Sequence, residues 1–126
     1  MNERPVLLPD AGHPISVEPT RGRVRVWLGE RLIADTTRAL TLCEGGNPPV
    51  YYISRSDIDA DVFDPSDHAT YCPYKGEAAY HGLRTENDTV LADTSWYYPN
   101  PHAAVAEIID HIAFYPDAVR VEISEN

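Results

Sequence analysis

The sequence predicts a mainly β fold of the α+β class, with short antiparallel strands and hairpins in one or two curled sheets. Apolar and polar residues alternate over short stretches, as in residues 23–28, where Val24, Val26 and Leu28 share one face. Hairpin-like connections between such stretches favour antiparallel sheets over a parallel βαβ array. One amphipathic helix at about residues 101–113 and a final strand complete the predicted fold.

The strands are predicted in chain order from these alternating stretches and the turns between them. Residues 1–13 contain prolines and little pattern, which indicates an irregular N-terminal arm. Gly29 and Glu30 stand where a two-residue turn closes a hairpin. Further strands are predicted at "ISVEP", "RALTLCEGG", "VYYIS", "VLADTSWYYP" and, after the helix, "AVRVEI".

The helix is predicted from its start signal and its apolar spacing. Asn100 suits the N-cap position and Pro101 the first helical position. Apolar side chains then recur at helical spacing and form one stripe: Val105, Ile108, Ile109 and Ile112.

Length and charge restrict the classes of function. The 126 residues correspond to one domain, 1–126, and the net charge is -10. Nucleic acid and anionic membranes attract cationic surfaces, so neither is expected as a partner. No signal peptide or membrane-spanning run is apparent, and the two cysteines are expected to be free thiols, so we expect a cytoplasmic protein.

The stretch "HATYCPYKGEAAYHG" holds the only lysine of the chain, Lys75, and two interpretations of it stay open. In the first, Pro73 and Gly76 simply make a tight hairpin turn. In the second, Cys72 and Lys75 are catalytic, because a nearby ammonium group lowers the pKa of a thiol and favours the nucleophilic thiolate. His68 beside the turn is then a candidate base or ligand-binding residue.

A second group of candidate ligand-binding residues is aromatic. "SWYYPNP" places Trp96 and Tyr98 on one face of a strand, just before the predicted helix. Tyr71 and Lys75 join them in the predicted site, and Tyr52 and Tyr80 would extend its aromatic wall. Core packing is the alternative interpretation of these side chains.

Motifs for metals and cofactors do not occur in the sequence. Zinc-type cysteine and histidine pairs are missing. A calcium loop beginning at Asp57 would need glycine and glutamate where Val62 and His68 stand. No phosphate-binding glycine loop is found either. We therefore predict neither a metal site nor a cofactor.

Several stretches resemble, in order and spacing, the bacterial family known as domain of unknown function 427. They are "GHPISVEP", "IADTTRALTLCEGGNPPVYYI", "DHATYCPYKGEAAYH" and "WYYPNPHAAVAEIIDHIAFYPDAV". The resemblance implies a small, mainly β domain with one C-terminal helix, and the family has carried a nucleotidyltransferase-like label. The positions that match its pattern are Asp67, Thr70, Cys72, Pro73, Lys75, Gly76, Trp96, Tyr98 and Phe114.

Three functional hypotheses follow from the sequence. The first is a pocket around Cys72, Lys75, Trp96 and Tyr98 that binds a small anionic or planar ligand, with or without catalysis. The second is a structural or interaction module that forms homodimers, in which the hairpin is only a turn. A nucleotidyltransferase-like enzyme ranks last, because the glycine-serine and paired aspartates expected for its Mg²⁺ site are not recognisable.

Overall fold

Ten β-strands are present in residues 4–125, the part of the chain that the computed structural model describes. They are β1 (Ile15–Pro19), β2 (Arg23–Leu28), β3 (Arg31–Thr36), β4 (Leu40–Glu44), β5 (Val50–Ser54), β6 (Phe63–Cys72), β7 (Gly76–Arg84), β8 (Val90–Tyr97), β9 (His111–Phe114) and β10 (Arg120–Ser124). Short 3₁₀ turns lie at Arg55–Asp57, Ala60–Val62 and Ala103–Ile108. The prediction of a mainly β fold is therefore confirmed.

The smaller sheet has three antiparallel strands in the order β10-β2-β3. Val24, Val26 and Leu28 on β2 are at most 4% exposed, as their alternation predicts. Leu28 pairs with Arg31 across the predicted two-residue turn, where Gly29 has a φ of 61°. The predicted final strand is confirmed as β10.

The larger sheet has seven antiparallel strands in the order β1-β4-β5-β9-β8-β7-β6. Strands β6, β7 and β8 form a meander, which accounts for one side of the sheet. Strand β9 is inserted between β5 and β8 although it comes almost last in the chain. Its position joins β1, β4 and β5 to the meander of β6, β7 and β8 in one sheet.

The predicted helix at residues 101–113 is wrong. Ala103–Ile108 form two 3₁₀ turns interrupted at Val105, whose φ of -129° and ψ of 30° are not helical. Asp110 then takes a left-handed φ of 60°, and the chain continues as β9. As an extended strand, β9 forms backbone hydrogen bonds with both β5 and β8, and Ile112 is completely buried. Tertiary pairing thus overrides the helical spacing of the apolar residues.

The apolar core has two parts, one on each face of the larger sheet. The inter-sheet face packs against the smaller sheet and is largely aliphatic, with Ile53, Leu83 and Ile112 at its centre. The opposite face, called the aromatic face below, contains Tyr52, Tyr80 and Tyr98 as well as Leu42, Ala78 and Ala113, and Val105 and Ile108 of the 3₁₀ turns pack on it. The predicted apolar stripe therefore covers a sheet face without being a helix.

The structure contains no helix, within residues 4–125, that is long and apolar enough to span a membrane. Residues 4–9 form no regular structure. The remaining part of the predicted arm, residues 10–13, makes an isolated bridge between Asp10 and His13. Residues 1–3, which belong to the predicted arm, lie outside the described residues.

Candidate functional site: an aromatic cavity beside an ion pair

The turn between β6 and β7 is a tight hairpin, as the sequence predicts. Cys72 pairs with Gly76, and the backbone N–H of Lys75 donates to the carbonyl of Cys72 at 3.3 Å. Gly76 has a φ of 117°, and a Cβ there would lie only 3.1 Å from the carbonyl oxygen of Asn100. His102 donates its backbone N–H to the carbonyl of Lys75 at 2.9 Å. The segment after β8 therefore holds this turn in place.

The turn directs Lys75 towards a carboxylate on β4. Its ammonium group forms an ion pair with Glu44, and the two side chains are only 13% and 16% exposed. His13 from the N-terminal arm contacts the other carboxylate oxygen, Nε2 to Oε2, at 2.6 Å. The ring of His13 in turn stacks on Tyr74, with centroids 3.9 Å apart. Two loops and one strand thus meet at Glu44.

The carboxyl group of Glu44 is ionised near neutral pH. Burial acts to raise its pKa, but hydrogen bonds from Lys75 and His13 outweigh burial and leave the pKa below its usual value. Lys75 and Glu44 together carry no net charge.

A cavity of about 230 Å³ opens beside this ion pair on the aromatic face. Five aromatic side chains line it: Tyr52, Tyr80, Trp96, Tyr98 and Tyr115. Lys75 and Glu44 contribute charged groups to the same wall, and Leu42, Val50 and the turn at Asn47 and Pro48 complete it. Such a concave, aromatic space with a few polar groups is typical of a small-molecule site.

The phenol groups around the cavity differ in how they are paired. The indole N–H of Trp96 donates to the hydroxyl of Tyr52 at 3.2 Å, and the hydroxyl of Tyr80 lies 2.9 Å from that of Thr70. Burial raises the pKa of Tyr52 to about 12 and also raises the pKa of Tyr98. Tyr98 is only 6% exposed, and its side chain lines the cavity.

Three of the residues predicted from the sequence meet at the cavity: Lys75, Trp96 and Tyr98. The wall extension predicted at Tyr52 and Tyr80 also lies there. These residues come from β5, β7, β8 and the segments beside them, which the seven-stranded sheet brings together.

The other predicted site residues do not line the cavity. His68 packs against the ring of Tyr80 from outside, with centroids 4.6 Å apart. Tyr71 is held by the N-terminal arm, because its hydroxyl donates to the carbonyl of Pro5 at 2.7 Å. Cys72 is partly exposed at the end of β6, although its thiol is near enough to Tyr52 and Tyr98 to contribute, after burial, to their raised pKa values.

Six lining residues of the cavity are not predicted from the sequence: Leu42, Glu44, Asn47, Pro48, Val50 and Tyr115. Glu44 ends β4, 31 residues before Lys75, and nothing in its local pattern distinguishes it from other acidic residues. Tyr115 follows β9 and lies just beyond residues 101–113, which are predicted to be helical. A single lysine in a chain rich in acidic residues does suggest an ion pair, but it does not indicate which carboxylate provides it.

The fold and cavity define a small, mainly β domain with a partly buried ion pair beside an aromatic pocket. Residues 16–125 match the model of the family described as Domain of unknown function (DUF427), labelled NTP_transf_9. The chain therefore belongs to this family, as its motifs predict. No curated protein matches the sequence. Within residues 4–125, no three His, Cys, Asp or Glu side chains are grouped as metal ligands.

Proposed function

We propose that the domain binds a small planar molecule in the aromatic cavity, and that this molecule is neutral and presents a hydrogen-bond donor beside an acceptor, as a carboxamide does. The observation that carries the proposal is the ion pair of Lys75 and Glu44 in the wall of a cavity with five aromatic residues.

The ion pair decides which charge the ligand carries. Lys75 alone would favour an anion, but Glu44 lies against it and repels one. A buried charge also loses its hydration, and a neutral pair of protein charges returns little of that free energy. A carboxamide avoids both costs, because its N–H can donate to Glu44 while its carbonyl accepts from Lys75 or Tyr98.

The size of the cavity limits the ligand. A volume of about 230 Å³ equals the share of about eight water molecules in the liquid and is below the range typical of drug-sized ligands. One ring with one polar substituent fits this space. Aromatic side chains around it supply stacking and edge contacts to such a ring.

Three probes of nearly identical shape test the proposal: benzoate, benzamide and benzamidinium. They carry negative, zero and positive charge on the same ring, so differences in affinity report the charge preference of the site. We expect benzamide to bind the wild-type protein most tightly in calorimetric titrations up to about 10 mM. Tighter binding of either ion, or no binding of any probe, would overturn the proposal.

Two variants locate the binding to the ion pair. Glu44→Gln removes the repulsion and should shift the preference towards benzoate, whereas Lys75→Met should shift it towards benzamidinium. Glu77→Gln is the matched control, because Glu77 lies on the same hairpin but pairs with Arg4 outside the cavity. If Glu44→Gln and Glu77→Gln change the preference equally, the probes do not bind beside the ion pair.

The other hypotheses from the sequence remain predictions. Catalysis by Cys72 and Lys75 requires that a bound molecule reach the thiol, which lies outside the cavity lining. Support for a nucleotidyltransferase-like activity comes only from the family label. Homodimer formation also stays a prediction.

A further inference from the structure

A second, larger space adjoins the aromatic cavity between the two sheets. It has a volume of about 430 Å³ and is called the inter-sheet cleft here. Val26 and Val121 line it from the smaller sheet, and Ile53 and Phe114 line it from the larger sheet. Apolar side chains thus form both of its sides.

The cleft and the aromatic cavity share part of their walls. Trp96 and Tyr115 line both spaces, with ring centroids 4.8 Å apart, and so does the turn that carries Asn47 and Pro48.

The cavity lies on the aromatic face and the cleft on the inter-sheet face of the larger sheet. Strands β5 and β9 pair only at residues 53–54 and 111–112, so within residues 4–125 no backbone pairing between them closes the sheet beside Val50 and Tyr115, which line both spaces. A molecule anchored in the cavity can therefore extend past the rings of Trp96 and Tyr115 through this unpaired part of the sheet.

Part of the cleft wall is formed by packed core residues. Val26, Ile53 and Phe114 are core residues that are no more than 8% exposed, so their packing fixes them. Pro48, Pro49 and Pro116 form part of the rim, and the proline ring restricts the backbone there. Binding of apolar groups in such a space is favourable, because it removes apolar surface from water.

We propose that the ligand of the aromatic cavity carries an unbranched alkyl tail that lies in the inter-sheet cleft. This inference rests on the proposed function, because the cavity anchors the head of the same molecule. It assigns the ligand to a class, amphipathic amides with a planar head and an aliphatic chain. The shared wall of Trp96 and Tyr115 is the feature that joins the two parts.

A series of para-alkylbenzamides with ethyl, butyl and hexyl chains tests the inference by calorimetric titration. Each buried methylene group should tighten binding about fourfold until the cleft is full. Val121→Phe fills the cleft and should remove this gain while the affinity for benzamide stays unchanged. Ile123→Phe is the matched control, since Ile123 lies on the same strand, is 42% exposed and is not part of the cleft.

The outcomes separate this inference from the proposed function. If benzamide binds and longer chains bring no gain, the tail inference fails and the cavity proposal stands. Both fail if no member of the series binds. An equal gain in Val121→Phe and wild type would place the tail elsewhere and overturn the inference.

A measurement on the wild-type protein covers the case in which Val121→Phe does not fold. Nuclear Overhauser contacts between the hexyl chain and the methyl groups of Val121 and Ile53 are expected; their absence in a bound complex would overturn the inference. Analytical ultracentrifugation adds one more outcome. It shows whether the protein forms a dimer that the hexyl compound does not dissociate. Such a dimer, with Val121 buried at its interface, would assign the cleft to a second copy of the chain instead.

Discussion

The two faces of the seven-stranded sheet differ in what they bury, and neighbouring residues show the difference. On β5, Ile53 points into the aliphatic inter-sheet face, whereas Tyr52 points into the aromatic face, and each is 1% exposed. The three-stranded sheet packs against the first face. The aromatic face is covered by the short segment Ala103–Ile108, and a cavity with a charged pair remains there.

This difference separates the stabilising part of the core from the part that is available for binding. Aliphatic side chains between two sheets can interdigitate to near-crystalline density. Rigid rings with hydroxyl groups need hydrogen-bond partners as well as contacts, and they pack less completely under one short segment. The same strands can therefore stabilise the fold on one face and form a pocket on the other.

The largest expected effect comes from comparing Ile53→Ala with Tyr52→Phe. Ile53→Ala leaves a cavity in the packed inter-sheet face and should lower the free energy of unfolding by about 2–5 kcal/mol. Tyr52→Phe removes only the hydroxyl that accepts from Trp96, which should lower it by about 1 kcal/mol. Urea denaturation of both variants measures this, and equal losses would contradict the division between the two faces.

A smaller loss is expected when the hairpin beside the cavity is strained. Gly76→Ala forces a side chain into a φ of 117° and towards the carbonyl of Asn100. The free energy of unfolding should fall by about 1–3 kcal/mol, and probe binding should weaken because Lys75 is displaced. Gly46→Ala is the control, since a Cβ there meets no atom within 4 Å. Similar melting temperatures for the two variants would show that the hairpin relaxes freely.

The smallest effect concerns pH and His81 of β7. Burial, with a smaller contribution from Arg55, lowers the pKa of His81 below 6.5, and its Nδ1 is buried without a hydrogen bond to residues 4–125. The imidazole of His81 therefore binds a proton more readily in the unfolded chain than in the folded chain. The contribution of His81 to the free energy of unfolding is most favourable above about pH 6.5 and declines as the pH falls below that value. We expect His81→Phe to flatten this part of the stability curve.

Denaturant titrations between about pH 7.5 and pH 5.5 compare the two proteins. His81 stacks on Tyr97 with centroids 4.9 Å apart and packs near Phe63, so phenylalanine should retain most of the contacts. Parallel curves for wild type and variant would show that His81 does not contribute to the pH dependence.

Local patterns in the sequence predicted correctly the strands and turns whose conformation is determined by residues close together in the chain. Alternation on β2, the turn at Gly29 and the hairpin closed by Gly76 were all found as predicted. These features follow from side-chain periodicity and backbone conformations that a few residues determine.

The failures concern residues whose conformation is decided by distant partners. Ile108 and Ile112 have helical spacing, but β5 and β8 offer hydrogen bonds to an extended strand at residues 111–114. The pairing of Lys75 with Glu44 likewise depends on how β4 and the hairpin are placed in three dimensions. For the same reason the sequence indicated Lys75, Trp96 and Tyr98 as site residues without their charge partner.

The place of β9 in the sheet has a consequence for how the chain folds. Strands β1, β4 and β5 can pair with one another, and so can β6, β7 and β8, without residues 111–114. Until β9 arrives, the edges of β5 and β8 have unpaired backbone groups that attract other chains. We therefore expect the two halves of the larger sheet to join late and slowly, because this step needs contacts between residues far apart in the chain. A chain truncated before residue 111 would expose two partly formed sheets with open edges.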